Sequence, residues 1–402
     1  MDKNTITGLV LIFLIFIGFS IFNSSRLNKS YEKVIVTADS LYSTGDLENA
    51  RAEYLNALRF KPNSPDAVSR VNEINQKLGF VKETPEADTI TAINPAPDTS
   101  SRILPDSLLN LNRFGAFAAS ATGDDEYITL ENNRMELKIA LKGGRVYSAR
   151  LKDFVTHDGK PLILFSGDST EFGFNFFTAD NRAIRTNDLW FSQVADSKVV
   201  SVTGNPGSVV LRLPAGDDSY IEYNYTLEPD KYTVDFNVTF KSMEGVIASN
   251  VNSITLDWKM YIPQQEKGRQ NEDQYTTIKY RYYQDDVDGL NPRSKKELDD
   301  ADITTKLSWV AFQDQFFSSI VMSDDFFLNG SLSSSKTPAS EKYTRYFTAE
   351  LGVPFSQDQQ TDLAMKFYFG PNHISTLKKS GEELDKIVFL GKNIIGWINR
   401  FV

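Results

Sequence analysis

Apolar and polar residues alternate with period two along most of the chain from Tyr127 onward. Met135, Leu137, Ile139 and Leu141 alternate with Glu136, Lys138 and Ala140, after which Lys142-Gly143-Gly144-Arg145 turns the chain into a second strand, Val146 to Leu151. Further strands are predicted at Leu162 to Phe165, Phe172 to Phe177, Val199 to Val202, Val209 to Leu213, Tyr220 to Leu227, Tyr232 to Phe240 and Ile254 to Ile262. Turn residues separate them, as at His157-Asp158-Gly159, Gly204-Asn-Pro-Gly207 and Glu228-Pro-Asp-Lys231. Strands resume at Leu307 to Phe312, Phe316 to Met322, Glu341 to Leu351 and Leu363 to Phe369. So many short-linked strands hide their apolar faces by stacking two antiparallel sheets, so the fold is expected to be mainly β, a large antiparallel sandwich. The polar stretch Gln264 to Ile303 reads as an interruption, a solvated loop. Its QDDVDGLN resembles a calcium loop, but Gln284 and Lys295 stand where the first and last ligands belong.

A different pattern opens the chain. Thr5 to Phe22 is a run of eighteen residues with no charge and almost nothing polar, including Leu9, Leu11, Phe13, Phe16 and Phe19. As a helix it measures roughly 27 Å, the thickness of a bilayer's hydrocarbon core. It is expected to be an uncleaved membrane anchor, spanning residues 1–26 with its flanks. The competing reading is a cleavable signal, but the cleavage-like Gly18-Phe19-Ser20 lies inside the apolar run. Lys3 precedes the run and Arg26, Lys29 and Lys33 follow it, a count that leans towards a cytoplasmic C-terminal part.

Residues 27–80 read as helical. Ala38, Leu41, Tyr42, Gly45, Ala50, Tyr54, Ala57 and Pro62 resemble a tetratricopeptide repeat, in which small residues let two antiparallel helices approach and a tyrosine fills the space between them. A third helix is expected from Ser64 to Leu78, with Val68, Val71 and Ile74 at helical spacing. One repeat builds no concave groove, so a helical spacer and a docking element are both consistent with it. Residues 81–123 are rich in Pro, Ser, Thr, Asp and Ala without periodicity, as in a flexible linker. The apolar patch Leu108 to Phe117 is counted with that linker.

Composition narrows the chemistry. The net charge of −10 offers no basic face to nucleic acid, and zero cysteines excludes thiolate catalysis, thiolate zinc sites and disulfides. A sugar epimerase on a β-sandwich needs an acid and a base held across a ring. The chain's two histidines are His157, in a turn, and His373, at a predicted helix start, where loop polarity and capping explain them. Asp285, Asp286, Asp288, Asp299, Asp300 and Asp302 read as solvated charge. No catalytic, metal or cofactor site is therefore expected.

In the last residues, Ile394, Ile395, Trp397, Ile398, Phe401 and Val402 occupy one broad helical side, and Lys392, Asn393, Asn399 and Arg400 the other. This fits a helix lying in a membrane interface, residues 386–402, or a helix packed on its own domain. The opening MDKNTITG, the Lys142-Gly143-Gly144 turn, Trp309-Val310-Ala311 leading into Gln315-Phe316-Phe317, and Phe367-Tyr-Phe-Gly-Pro371 together resemble the YidC membrane-insertase family in its Bacteroidetes form.

The resemblance implies a signal anchor with a cytoplasmic N-terminus, against the basic-residue count, and a periplasmic β-supersandwich over residues 124–385, similar to galactose mutarotases. It implies a non-enzymatic insertase and chaperone of the inner membrane, with membrane lipids and nascent membrane proteins as partners and Sec translocon components as further candidates. It also favours the interfacial reading of the last helix, carried by Lys392, Ile394, Trp397, Arg400 and Phe401. Members of the family carry several further membrane helices, and no second long apolar run follows Phe22, so the sequence is expected to be a truncated member or a fragment. The alternative from another class is a membrane-anchored carbohydrate-binding or carbohydrate-modifying envelope protein.

Overall fold

The alternating segments form strands because each can bury one row of side chains and leave the other in water. Tyr220–Leu227 shows this most clearly, with every second residue buried. The structure, a computed structural model, describes residues 34–60, 70, 73–74, 106–216, 218–338 and 342–388. Leu9, Leu11, Phe13, Phe16 and Phe19 of the expected anchor lie outside these residues, as do Lys392, Ile394, Trp397, Arg400 and Phe401 of the expected interfacial helix. Among the described residues no helix is long and apolar enough to cross a membrane.

The chain divides into two units, Met1–Ile103 and Leu104–Val402. In the first, a helix over 34–43 is followed by Leu47–Phe60. Gly45, at φ +81°, takes the left-handed position of the turn between them. Ala38, Ala50 and Ala57 are fully buried, and Tyr54 fills the space beside them with its hydroxyl donating to Asp39. Of the expected third helix, Ile74 is buried, while Val68, Val71 and Leu78 lie outside the described residues.

Among the described residues the second unit carries three sheets. Five strands run in the order Pro161–Ser166, Val146–Val155, Met135–Ala140, Tyr127–Glu131, Val199–Ser201, the last pair parallel. Nine run Val287–Gly289, Thr277–Tyr282, Leu307–Gln313, Phe317–Phe327, Gln360–Pro371, Thr233–Lys241, Tyr220–Leu227, Gly207–Pro214, Ser192–Gln193. Six run Leu298–Ile303, Gly330–Lys336, Tyr343–Pro354, Ser253–Pro263, Thr170–Phe177, Ala183–Arg185. Aromatic rings lock the nine-stranded sheet against both others. Phe172 of the six-stranded sheet meets Phe236 and Phe367 at 5.7 and 5.0 Å, and Trp258 stacks on Phe312 at 3.8 Å. Phe165 of the five-stranded sheet meets Phe369 at 5.4 Å.

The Lys142-Gly143-Gly144 turn also joins layers. Gly144 sits at φ +62°, a Cβ there would lie 2.9 Å from the Tyr223 ring, and its carbonyl accepts the Tyr225 hydroxyl at 2.7 Å.

Two expectations are corrected. Within the expected linker, Asp106–Phe114 is helical and Gly115–Ser120 continues as a 3-10 turn, because Phe114 and Phe117 bury in the main core, Phe117 against Phe176 at 5.8 Å. The expected loop Gln264 to Ile303 holds a short helix, Arg269–Asp273, and the strands Thr277–Tyr282, Val287–Gly289 and Leu298–Ile303. These reach the core through few side chains, among them Ile278, Tyr280, Leu290 and Ile303, which are buried.

Candidate functional site

The corrected stretch builds a concavity of the second unit. Thr277–Tyr282 turns back through Tyr283 to Asp286 into Val287–Gly289, with Gln284 in the left-handed conformation at φ +57°. Opposite, residues 301–306 carry the chain from the edge of the six-stranded sheet towards the middle of the nine-stranded one. The Tyr283 amide ties the two walls by donating to the Lys306 carbonyl at 2.9 Å. Between them opens a groove of about 830 Å³, with Tyr280, Tyr282 and Tyr283 on one wall and Ala301, Ile303 and Lys306 on the other. Asp285 and Asp302 are exposed at its margin. The Lys306 ammonium lies 3.5 Å above the Phe326 ring, which meets Tyr283 edge-on at 5.4 Å. Burial, followed by the hydrogen bond to Tyr282, raises the Tyr280 phenol, which therefore stays neutral.

The same hairpin holds the end of the described chain. Arg281 pairs with Glu382 and Glu383 at 3.4 and 2.8 Å, and Lys386 pairs with Asp286 at 3.3 Å. Trp309 donates its indole N–H to the Glu382 carbonyl at 2.9 Å. Leu377, Leu384 and Ile387 cover Trp309, Ala311, Ile320, Met322 and Tyr368 on the outer face of the nine-stranded sheet. The Trp309 and Phe367 to Pro371 segments singled out in the sequence thus meet here, beneath the helix Ile374–Ser380.

A buried carboxyl pair lies elsewhere in the unit. Glu272 is fully buried and accepts the Gln265 and Glu266 amides at 2.7 and 3.3 Å. Asp314 accepts the Thr276 hydroxyl at 2.9 Å and is within hydrogen-bonding reach of Glu272. Burial raises both carboxyls, Asp314 well above the usual range because Glu272 also faces it. The adjoining cavity, about 10 Å³, has room for at most about one water. This pair supports the fold and reaches no solute.

His157 sits in its turn with Nδ1 3.0 Å from the Gln265 carbonyl, and His373 precedes Ile374–Ser380 with Nδ1 near the Ser375 and Thr376 hydroxyls. Neither lines the groove. Among the described residues no cluster of three or more His, Cys, Asp or Glu side chains could hold a metal. The sequence points to Tyr280 to Tyr283 as a contact surface, but the groove beside them depends on strands that a solvated-loop reading of residues 264–303 does not contain. The signal was the alternation of Ile278, Tyr280 and Tyr282 with Lys279 and Arg281.

Comparison with known proteins places these features. Residues 127–402 match the profile of the family described as the YidC periplasmic domain. The whole chain is similar to the membrane protein insertase YidC of Parabacteroides distasonis, 32% identical over 412 residues and covering 58% of that protein. It is 33% identical over 412 residues to that of Phocaeicola vulgatus, covering 57% of it. The chain therefore spans rather more than half the length of these relatives. Among solved structures, a galactose mutarotase related enzyme from Lactobacillus acidophilus aligns with 61% of this chain and 97% of its own, at 9% identity and a TM-score of 0.37.

Proposed function

Since the chain belongs to the YidC family, we propose that it serves membrane-protein insertion, contributing an N-terminal anchor and a periplasmic sandwich. The observation that carries this reading is identity of 32–33% along the entire chain to proteins named as membrane protein insertases. Leu9, Leu11, Phe13, Phe16 and Phe19 would lie in the inner membrane, with the N-terminus in the cytoplasm. Lys392 and Arg400 would meet lipid headgroups while Ile394, Trp397 and Phe401 enter the apolar boundary. The sandwich would contribute by binding rather than by chemical catalysis. Partners on this reading are membrane lipids, nascent membrane proteins and Sec translocon components.

Depleting the protein in its own cells while following a short single-span membrane protein tests the proposal. The client should accumulate uninserted. Normal insertion after complete depletion would overturn the reading.

A further inference from the structure

We propose that the groove beside Tyr282 and Tyr283 takes an extended, cationic polypeptide segment, which adds as a further strand to the edge strand Leu298–Ile303. The inference rests on this edge and groove alone and does not depend on the insertase reading.

Among the described residues Leu298–Ile303 pairs on one side only, with Gly330–Lys336, and ends the six-stranded sheet. Its other side presents backbone donors and acceptors along six residues, about 20 Å of strand. An incoming strand would make the same ladder there, a recurring way in which a sheet edge recognises a peptide. The groove provides room for the side chains on that flank, since Ala301, Asp302 and Ile303 line it directly.

Charge commits the occupant. Asp299, Asp300 and Asp302 stand on the strand; Asp302 lines the groove together with Asp285 of the other wall, while the Asp299 carboxylate accepts the Asn291 amide at 3.0 Å. Asp300 and Asp302 are exposed, and Asp302 is steadied by the Ser331 hydroxyl at 2.7 Å. The nearest cation lining the groove, Lys306, is held over Phe326. Carboxylates along an edge keep neutral strands from pairing with it, the ordinary protective role of edge charge. They do not keep out a strand bearing Lys or Arg, whose ammonium or guanidinium groups meet both carboxylates and tyrosine faces. One arrangement thereby rejects generic β-aggregation and selects a basic partner.

The test uses the full chain in detergent and three labelled eight-residue probes: alternating lysine–valine, alternating glutamate–valine, and lysine–valine N-methylated at every second amide. The lysine peptide should bind at least tenfold more tightly than the glutamate peptide and slow amide exchange at 298–303. N-methylation, which keeps charge but blocks the ladder, should cost at least tenfold. The doubly substituted D300K/D302K chain should reverse the preference towards the glutamate peptide, and both positions are exposed enough to tolerate it. Equal binding of the lysine and glutamate peptides, or no loss on N-methylation, would overturn strand addition. So would absence of binding, or tighter binding of a chito-oligosaccharide protecting the same groove.

Discussion

Burial, with the Glu272 carboxyl facing it, raises the Asp314 carboxyl well above the usual carboxylate range. The Glu272 carboxylate already accepts two backbone amides, which favour its charged form, so the proton of the pair rests on Asp314. Asp314's raised value means that its contribution to stability is fully present below the unfolded value, near pH 4, and is lost as pH rises through the folded value. Asp314→Asn keeps a donor for Glu272 and an acceptor for Thr276 without the ionisation. It should leave denaturant midpoints little changed near pH 4, raise stability by at least about 1 kcal/mol by pH 8, and flatten the profile between. Glu272→Gln should instead cost about 2 kcal/mol at every pH, because its carbonyl can accept from only one of the Gln265 and Glu266 amides and its NH2 would face the other. Equal effects of the two substitutions would mean that the proton is misplaced. Nothing in the sequence signals this pair, since both residues sit in polar surroundings and period-two reading assigns polar positions to solvent.

The covering segment Ile374–Ser380 with Leu384–Ile387 explains why Leu307–Gln313 is buried on both faces: Val310 and Phe312 face the sandwich core, and Trp309 and Ala311 lie under Leu377, Leu384 and Ile387. Gly381, Glu382 and Glu383 all take positive φ, at 83°, 51° and 54°, and this sharp turn brings the Glu382 carbonyl to Trp309. Leu377→Ala should cost about 2–4 kcal/mol, read as faster amide exchange confined to residues 374–388. Loss of protection throughout the sandwich would instead make the segment part of the main cooperative unit. At this scale most of the fold was legible. The inner strands announced themselves because each carries a full apolar row, and Leu307 to Phe312 because it is apolar on both sides. Gly330–Lys336 and Leu298–Ile303 escaped notice for the opposite reason. At that end of the six-stranded sheet they carry serines and aspartates, with Leu332 and Ile303 as their buried anchors. Leu108 to Phe117 was seen as apolar, but no partner surface could be named until Phe176 stood beside Phe117.

Strand order was not legible at all, because alternation says which face is buried and nothing about which strand lies alongside. That order has a consequence for the whole molecule. Gln360–Pro371 pairs with Phe317–Phe327 on one side and with Thr233–Lys241 on the other. Four strands of the nine-stranded sheet lie to each side of it. A chain ending at Pro354 should therefore fail to form the sandwich, losing near-UV circular dichroism and binding a hydrophobic dye while keeping part of its strand content. Native-like near-UV signal from that shortened chain would show that the two halves close without the strand. For a polypeptide delivered from its N-terminus, the centre of the largest sheet is thus the last piece to arrive. Until residue 371 emerges, two half-sheets wait with their inner edges open, and the turn at 381–383 has no finished surface to grip. Closing the sandwich and pinning the segment that leads onward from it are consecutive moments of one event, timed by the position of a single strand in the chain.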